Sequence, residues 1–174
     1  IAALADSVYV SFYKGLGGMA GAALAGPADL VAEARRWQRR HGGNLFVLLP
    51  YAVGARDGLR RRLPLMASYA ARARDLAAGL AQLDGVRVHP DPPHTNAFRL
   101  FVDVADEHLA EAGVRIAEEQ QVALVLGWQA ADVPGWAMTE ITVGDATLAW
   151  STDEQVAALE AQIALARDLA AAPV

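Results

Sequence analysis

The chain of 174 residues contains no cysteine. Disulfides, thiolate metal sites and a cysteine nucleophile are thereby excluded. The absence fits a reducing cytoplasm, which is the expected location. Lysine is almost missing too: of the 15 lysines and arginines, 14 are arginine and one is Lys14. Aromatic residues are only 7%. No stretch approaches the roughly 20 uninterrupted apolar residues of a membrane-crossing helix. The apolar start IAALADSVYVSF carries Asp6 and lacks the basic region of a secretory signal. Positive charge is not in excess, since the net charge is −5 and the pI about 5.3. Neither nucleic acid nor a membrane is therefore an expected partner.

What is present points to a folded core. Hydrophobic residues make up 54% and charged residues 20%, which excludes disorder. Alanine supplies 38 residues and arginine nearly all the basic charge, a pattern that resembles the drift of a high-GC genome. In such a genome most lysines can become arginines at little cost. The survivor is either a chance surface lysine or one that arginine cannot replace, because arginine stays protonated and is no amine nucleophile.

Hydrophobic spacing divides the chain into two parts. Residues 6–12 alternate as a strand, with Val8, Val10 and Phe12 on one side. AGAALAG, at 20–26, suits a second, closely packed strand. Pro27 opens a predicted helix over 28–41, stopped by Gly42 and Gly43. Pro50 kinks or starts a further helix within the apolar stretch that follows. A long helix is expected over 64–83 and strands over 86–89 and 97–104. A helix over 106–120, strands over 122–126 and 138–143, and a final helix over 152–171 complete the pattern, with Thr152 and Asp153 as cap of the last. Residues 1–62 read as the tail of a larger α/β domain, and 63–174 as a small α+β lobe. The chain begins at Ile1, without methionine, in sequence that already reads as structured, so a missing N-terminal part is expected.

Lys14 stands at the end of the first strand and is followed by GLGGMAG. A Schiff-base lysine needs an amine that can be neutral, and glycines that let a flat ring approach the backbone. A lysine beside a plain glycine turn gives the same pattern. The lysine precedes the glycines, which excludes Walker spacing. Ser11 either bonds an anion at this turn or merely faces the sheet. His41 ends a helix, where a structural role outweighs a catalytic one. Among Arg35, Arg36, Arg39 and Arg40, one at most is expected at an anion, and Arg60-Arg61-Arg62 reads as a solvated run. His89 and His94 lack a third ligand nearby, so no metal site is expected. Trp128, Trp136 and Trp150 read as packing residues.

The stretch DSVYVSFYKGLGGMAGAALAG, followed by ARRWQRRHGG, resembles the Schiff-base segment of the threonine aldolase / aromatic amino acid β-eliminating lyase family of fold-type-I pyridoxal phosphate enzymes. Ser11, Lys14, Gly15, Leu16 and Gly17 match in order, then Arg35, Arg36, Trp37, Gly42 and Gly43, and later Thr95-Asn96. The resemblance implies the end of a fold-type-I large domain joined to a small C-terminal α+β domain, and only the C-terminal half of the enzyme. It implies pyridoxal 5'-phosphate as cofactor, with Lys14 as catalytic Schiff-base residue and Ser11 and Gly17 as cofactor-binding residues. The substrate would be an amino acid or related amine, cleaved as by threonine aldolase or by β-elimination. A homodimer or homotetramer with its site at the subunit interface is implied, and the region of Phe46, Leu48 and Leu49 is the expected contact. In the late strand the family carries an arginine that clamps the substrate carboxylate. Here that place is taken by Glu140, a substrate-binding candidate that would repel a free carboxylate. The rival reading is a non-catalytic fragment or interaction domain that retains the fold.

Overall fold

The computed structural model describes residues 2–125 and 127–172. The chain folds as two compact units, residues 1–66 and 67–174.

In the first unit β1 (Val8–Ser11) pairs antiparallel with β2 (Ala22–Ala25), in the register Val8↔Ala25 to Ser11↔Ala22. The Phe12 amide donates to the Gly21 carbonyl at 3.0 Å and closes the loop between them. α1 (Ala28–Arg40) follows, with Pro27 at its N-cap in extended geometry, one residue before the first turn. It buries no residue. Gly42 ends it at φ 71°, a conformation that favours glycine. α2 (Leu49–Arg61) has Pro50 in its first turn, where the missing N–H has no intrahelical partner to lose. A single 3₁₀ turn, Leu63–Leu65, leads into α3 (Met66–Leu80).

In the second unit α3 buries Tyr69, Ala73, Leu76, Ala77 and Leu80 at helical spacing. β3 (Val86–His89), β4 (Ala97–Val102), β5 (Gln129–Ala130) and β6 (Ala137–Thr142) form an antiparallel sheet in the order β3-β4-β6-β5. Register and alternation agree. Phe98↔Ile141, Leu100↔Thr139 and Val102↔Ala137 share one face, and Arg99↔Glu140 and Phe101↔Met138 the other. Phe98, Leu100 and Val102 are buried. α4 (Asp106–Gln120) buries Leu109, Ala112, Gly113 and Ile116; α6 (Thr152–Ala171) buries Leu159, Gln162, Ile163 and Ala166. The buried Gln162 amide donates to the carbonyls of Leu109 at 3.0 Å and Val125 at 3.1 Å, so its burial leaves no donor wasted.

Besides the two-residue strand β5, which the sequence reading lacked, three details depart from it. No strand forms among the described residues of 122–126, namely 122–125; Leu126 lies outside the described residues. The Gln162 side chain takes the Val125 carbonyl, and the Thr139 hydroxyl takes the Gly127 carbonyl at 2.7 Å, so side chains hold backbone groups that a ladder would have used. A short helix, α5 (Asp145–Leu148), precedes α6. The cap of α6 is Ser151, not Thr152 or Asp153. Its hydroxyl accepts from the Glu154 amide at 3.2 Å, and Glu154 accepts from the Ser151 amide at 2.8 Å. The Ser151 hydroxyl, and then its backbone amide, hold the Glu154 carboxyl below its ordinary value.

Candidate functional site

The reactive candidate of the first unit is an exposed lysine on a tightly tied turn. The Gly17 amide donates to the Lys14 carbonyl at 2.8 Å, and the Gly18 amide to the Phe12 carbonyl at 2.7 Å. Gly17 has φ 66°, which any residue with a Cβ adopts only under strain. Lys14 is exposed and Ser11 half-buried.

The turn is seated on one face of α2. Among the described residues of this unit, the buried ones are Leu16, Gly18, Ala55 and Gly58. They are the turn and the helix face beneath it. A Cβ at Gly58 would overlap the Leu16 carbonyl oxygen and stand 3.1 Å from its carbon. At Gly54, one helical turn earlier, a Cβ would meet the Met19 nitrogen at 3.6 Å, an ordinary contact. The two glycines, four apart, let the loop backbone lie directly on the helix.

Two side chains at the turn escaped the sequence reading. Arg62 belongs to a run read as solvated, yet its guanidinium lies where a Cβ of Gly17 would be. Its neighbour Arg61 bonds Asp57 on α2. Tyr13 stands between Ser11 and Lys14 in sequence. The side chain of Ser11, and then that of Tyr9, hold its phenol below the ordinary value; burial opposes them, and the positive charge of Lys14 adds the smallest effect. The alternation Tyr9, Ser11, Tyr13 was the signal available for that cluster. For Arg62 none was, because three adjacent arginines point in different directions on a helix end.

Glu140 lies in the second unit, on the exposed face of β6 and directly opposite Arg99 of β4. It also borders a cavity of about 620 Å³ within that unit, whose lining includes Leu76, Leu80, Thr139 and Trp150. Asn96 is structural: its side chain donates to the Val143 carbonyl at 2.8 Å, and its own carbonyl accepts from the Val143 amide at 2.8 Å. His41 caps α1 and stacks on Trp37 at 5.4 Å, while Arg40 lies over the same indole at 5.1 Å. Trp128 is buried, and Arg87 lies over the Trp136 ring at 5.8 Å. Among the described residues, no three His, Cys, Asp or Glu side chains gather as metal ligands, and no helix is long and apolar enough to cross a membrane.

The fold is the mixed α/β arrangement of threonine aldolases, fold-type-I pyridoxal phosphate enzymes. A structure from Exiguobacterium sp. 255-15, a candidate aromatic amino acid beta-eliminating lyase/threonine aldolase, matches 96% of this chain with TM-score 0.81 and 39% identity, over 46% of its own length. A candidate L-allo-threonine aldolase from Listeria monocytogenes EGD-E matches 95% with TM-score 0.81 and 35% identity, over 45% of its length. Low-specificity L-threonine aldolase 1 of Arabidopsis thaliana is 28% identical over 123 residues, which are 71% of this chain and 34% of that protein. The chain thus spans about a third to a half of the length of these relatives. Residues 1–105 match the beta-eliminating lyase family, and the chain belongs to that family.

Proposed function

We propose that this chain is part of a pyridoxal phosphate-dependent lyase acting on an amino acid or related amine, by threonine-aldolase-like carbon–carbon cleavage or β-elimination. The supporting observation is the Lys14 turn: an exposed primary amine, on a backbone pinned by two hydrogen bonds and seated on α2.

The residues present suit the cofactor's chemistry. Lys14 supplies the amine that binds an aldehyde carbon covalently. Gly17 contributes by having no Cβ; its amide is already spent within the turn. The Ser11 hydroxyl and the Arg62 guanidinium supply donors of the kind that hold a phosphate. When bound, the cofactor draws electrons from the bond broken at the substrate. The same Lys14 amine would be the candidate base.

Incubation of the full-length protein with pyridoxal phosphate, borohydride reduction and peptide mass spectrometry is expected to find the adduct on Lys14. A folded protein with no adduct there overturns the reading and favours a non-catalytic interaction domain. The exposed run Leu45–Leu49, with Phe46 fully exposed, supports an association surface, in keeping with a cytoplasmic homodimer or homotetramer.

Glu140 is proposed to disfavour a substrate with a free α-carboxylate. Because the side chain is exposed, the effect of Glu140→Arg is set by screened charge. It is expected to raise kcat/KM for threonine relative to threonine amide by about threefold, the scale of an exposed pair. An unchanged ratio in steady-state kinetics removes Glu140 from the substrate.

A further inference from the structure

Within the second unit, β5 pairs with β6 only at Ala137 and Met138. Beyond that pair, among the described residues, no strand lies on the β5 side of β6. The stretch that follows α4 is tied through side chains instead, by Gln162 at the Val125 carbonyl and Thr139 at the Gly127 carbonyl. The space left over is the cavity of about 620 Å³, bordered by Thr139–Thr142 of β6. Pockets that take small ligands span roughly 300–1,000 Å³. Its apolar wall includes Leu76 and Leu80 of α3, Leu159 of α6, Val125 and Trp150.

Two observations fix the polarity of what fits. Glu140 is the one charged residue among the described residues that line the cavity. Gln155 lines it too, and its Oε1 is buried with no hydrogen-bond partner among the described residues. The Gln155 amide nitrogen is already spent on the carbonyls of Thr147 at 2.6 Å and Trp150 at 3.1 Å. A buried acceptor without a partner calls for a donor. Trp128 Nε1, the other buried atom of this kind, belongs to a residue outside the lining. The neighbouring cations are engaged elsewhere or unbonded to this site. Arg72 donates to the carbonyls of Thr147 and Trp150, and among the described residues no ion pair joins Arg99 to Glu140 across the ladder.

We propose that this cavity binds a primary amine with an apolar body. The body lies against Leu76, Leu80 and Leu159, and the ammonium supplies the donors and the charge that Gln155 Oε1 and Glu140 accept. A carboxylate in the same place meets the charge of Glu140 with its own. The inference stands on the second unit alone and goes beyond the lyase reading, since no step at Lys14 enters it.

The test uses the full-length protein after borohydride reduction, so that no aldehyde remains to capture an amine. Isothermal titration calorimetry compares phenethylamine with phenethyl alcohol and phenylpropionate, which share its apolar body. The amine is expected to bind about tenfold more tightly than the carboxylate, with the alcohol between them. Glu140→Gln should weaken the amine about threefold and leave the alcohol unchanged. Ala146→Trp adds bulk at an exposed lining position of α5 and should abolish measurable binding of amine and alcohol alike. No binding of the amine, equal affinity for amine and carboxylate, or amine binding that neither substitution changes overturns the proposal. Should Ala146→Trp fail to fold by circular dichroism, the ratio of amine to alcohol affinity in Glu140→Gln decides alone. Absence of a cofactor adduct on Lys14 would instead overturn the lyase reading and leave these affinities as they are.

Discussion

Lys14→Arg is expected to abolish the covalent link to pyridoxal phosphate while the protein stays folded. Arginine keeps the positive charge and nearly the length, so any effect of charge alone survives the change. It removes the property at issue, a primary amine nitrogen able to act as a nucleophile. The side chain at this position is exposed and the turn is held through main-chain atoms, the Lys14 carbonyl and the Gly17 amide. Nothing in that tie depends on the ammonium, so the circular dichroism spectrum and melting temperature should match wild type. Borohydride trapping at this peptide should fall from nearly stoichiometric to none. Turnover should fall on the order of 10³-fold or more, as when a nucleophile is deleted. Residues 1–174 contain no second lysine that could substitute. A variant that still fixes cofactor at this segment would remove Lys14 from the chemistry.

Gly58→Ala is expected to be the most damaging single methyl in the first unit. A methyl there would collide with the backbone of Leu16, whose carbonyl carbon lies 3.1 Å away and whose own Cβ lies 3.3 Å away. A main-chain carbonyl cannot swing aside, so the turn must lift from the helix or the helix must bend. Overpacking of this kind costs about 1–3 kcal/mol, against about 1 kcal/mol gained in helix propensity. Gly54→Ala is the control. It gains the same propensity, and its nearest neighbour is at an ordinary 3.6 Å, so it should leave stability unchanged or raise it slightly. Urea unfolding of both variants, with the rate of adduct formation on Lys14, gives the comparison. The expected order is Gly54→Ala near wild type and Gly58→Ala both less stable and slower to react. Equal behaviour of the two would mean that the helix face does not hold the turn.

Much of this architecture was legible because its causes are local. Glycine and proline mark the ends of α1 and the start of α2, and alternation marks β1 and β4. Apolar residues at threes and fours mark α3, α4 and α6. The failures have several causes, of which the first is non-local. VALVL reads as a strand by composition, but partners distant in sequence, Gln162 and Thr139, bind the carbonyls of Val125 and Gly127. β5 is only two residues long, too short for alternation to register. The capping box of α6 was written in the sequence as Ser151 and Glu154, one residue before the expected cap. At the turn, Lys14 and its glycines announced themselves. The approach of Arg62 to Gly17 did not, since a contact across 45 positions has no periodic signature.

The seat of that turn has an evolutionary corollary. Positions 16 and 18 are matched to 55 and 58 across a surface that tolerates no added atoms at Gly58. The reactive segment and the helix beneath it therefore behave as one inherited part, although about 40 residues separate them. Substitutions at one should be tolerated only in company with answering changes at the other. A designer grafting this lysine onto another scaffold would have to transplant α2 along with it, because the loop alone carries no instructions for its own shape.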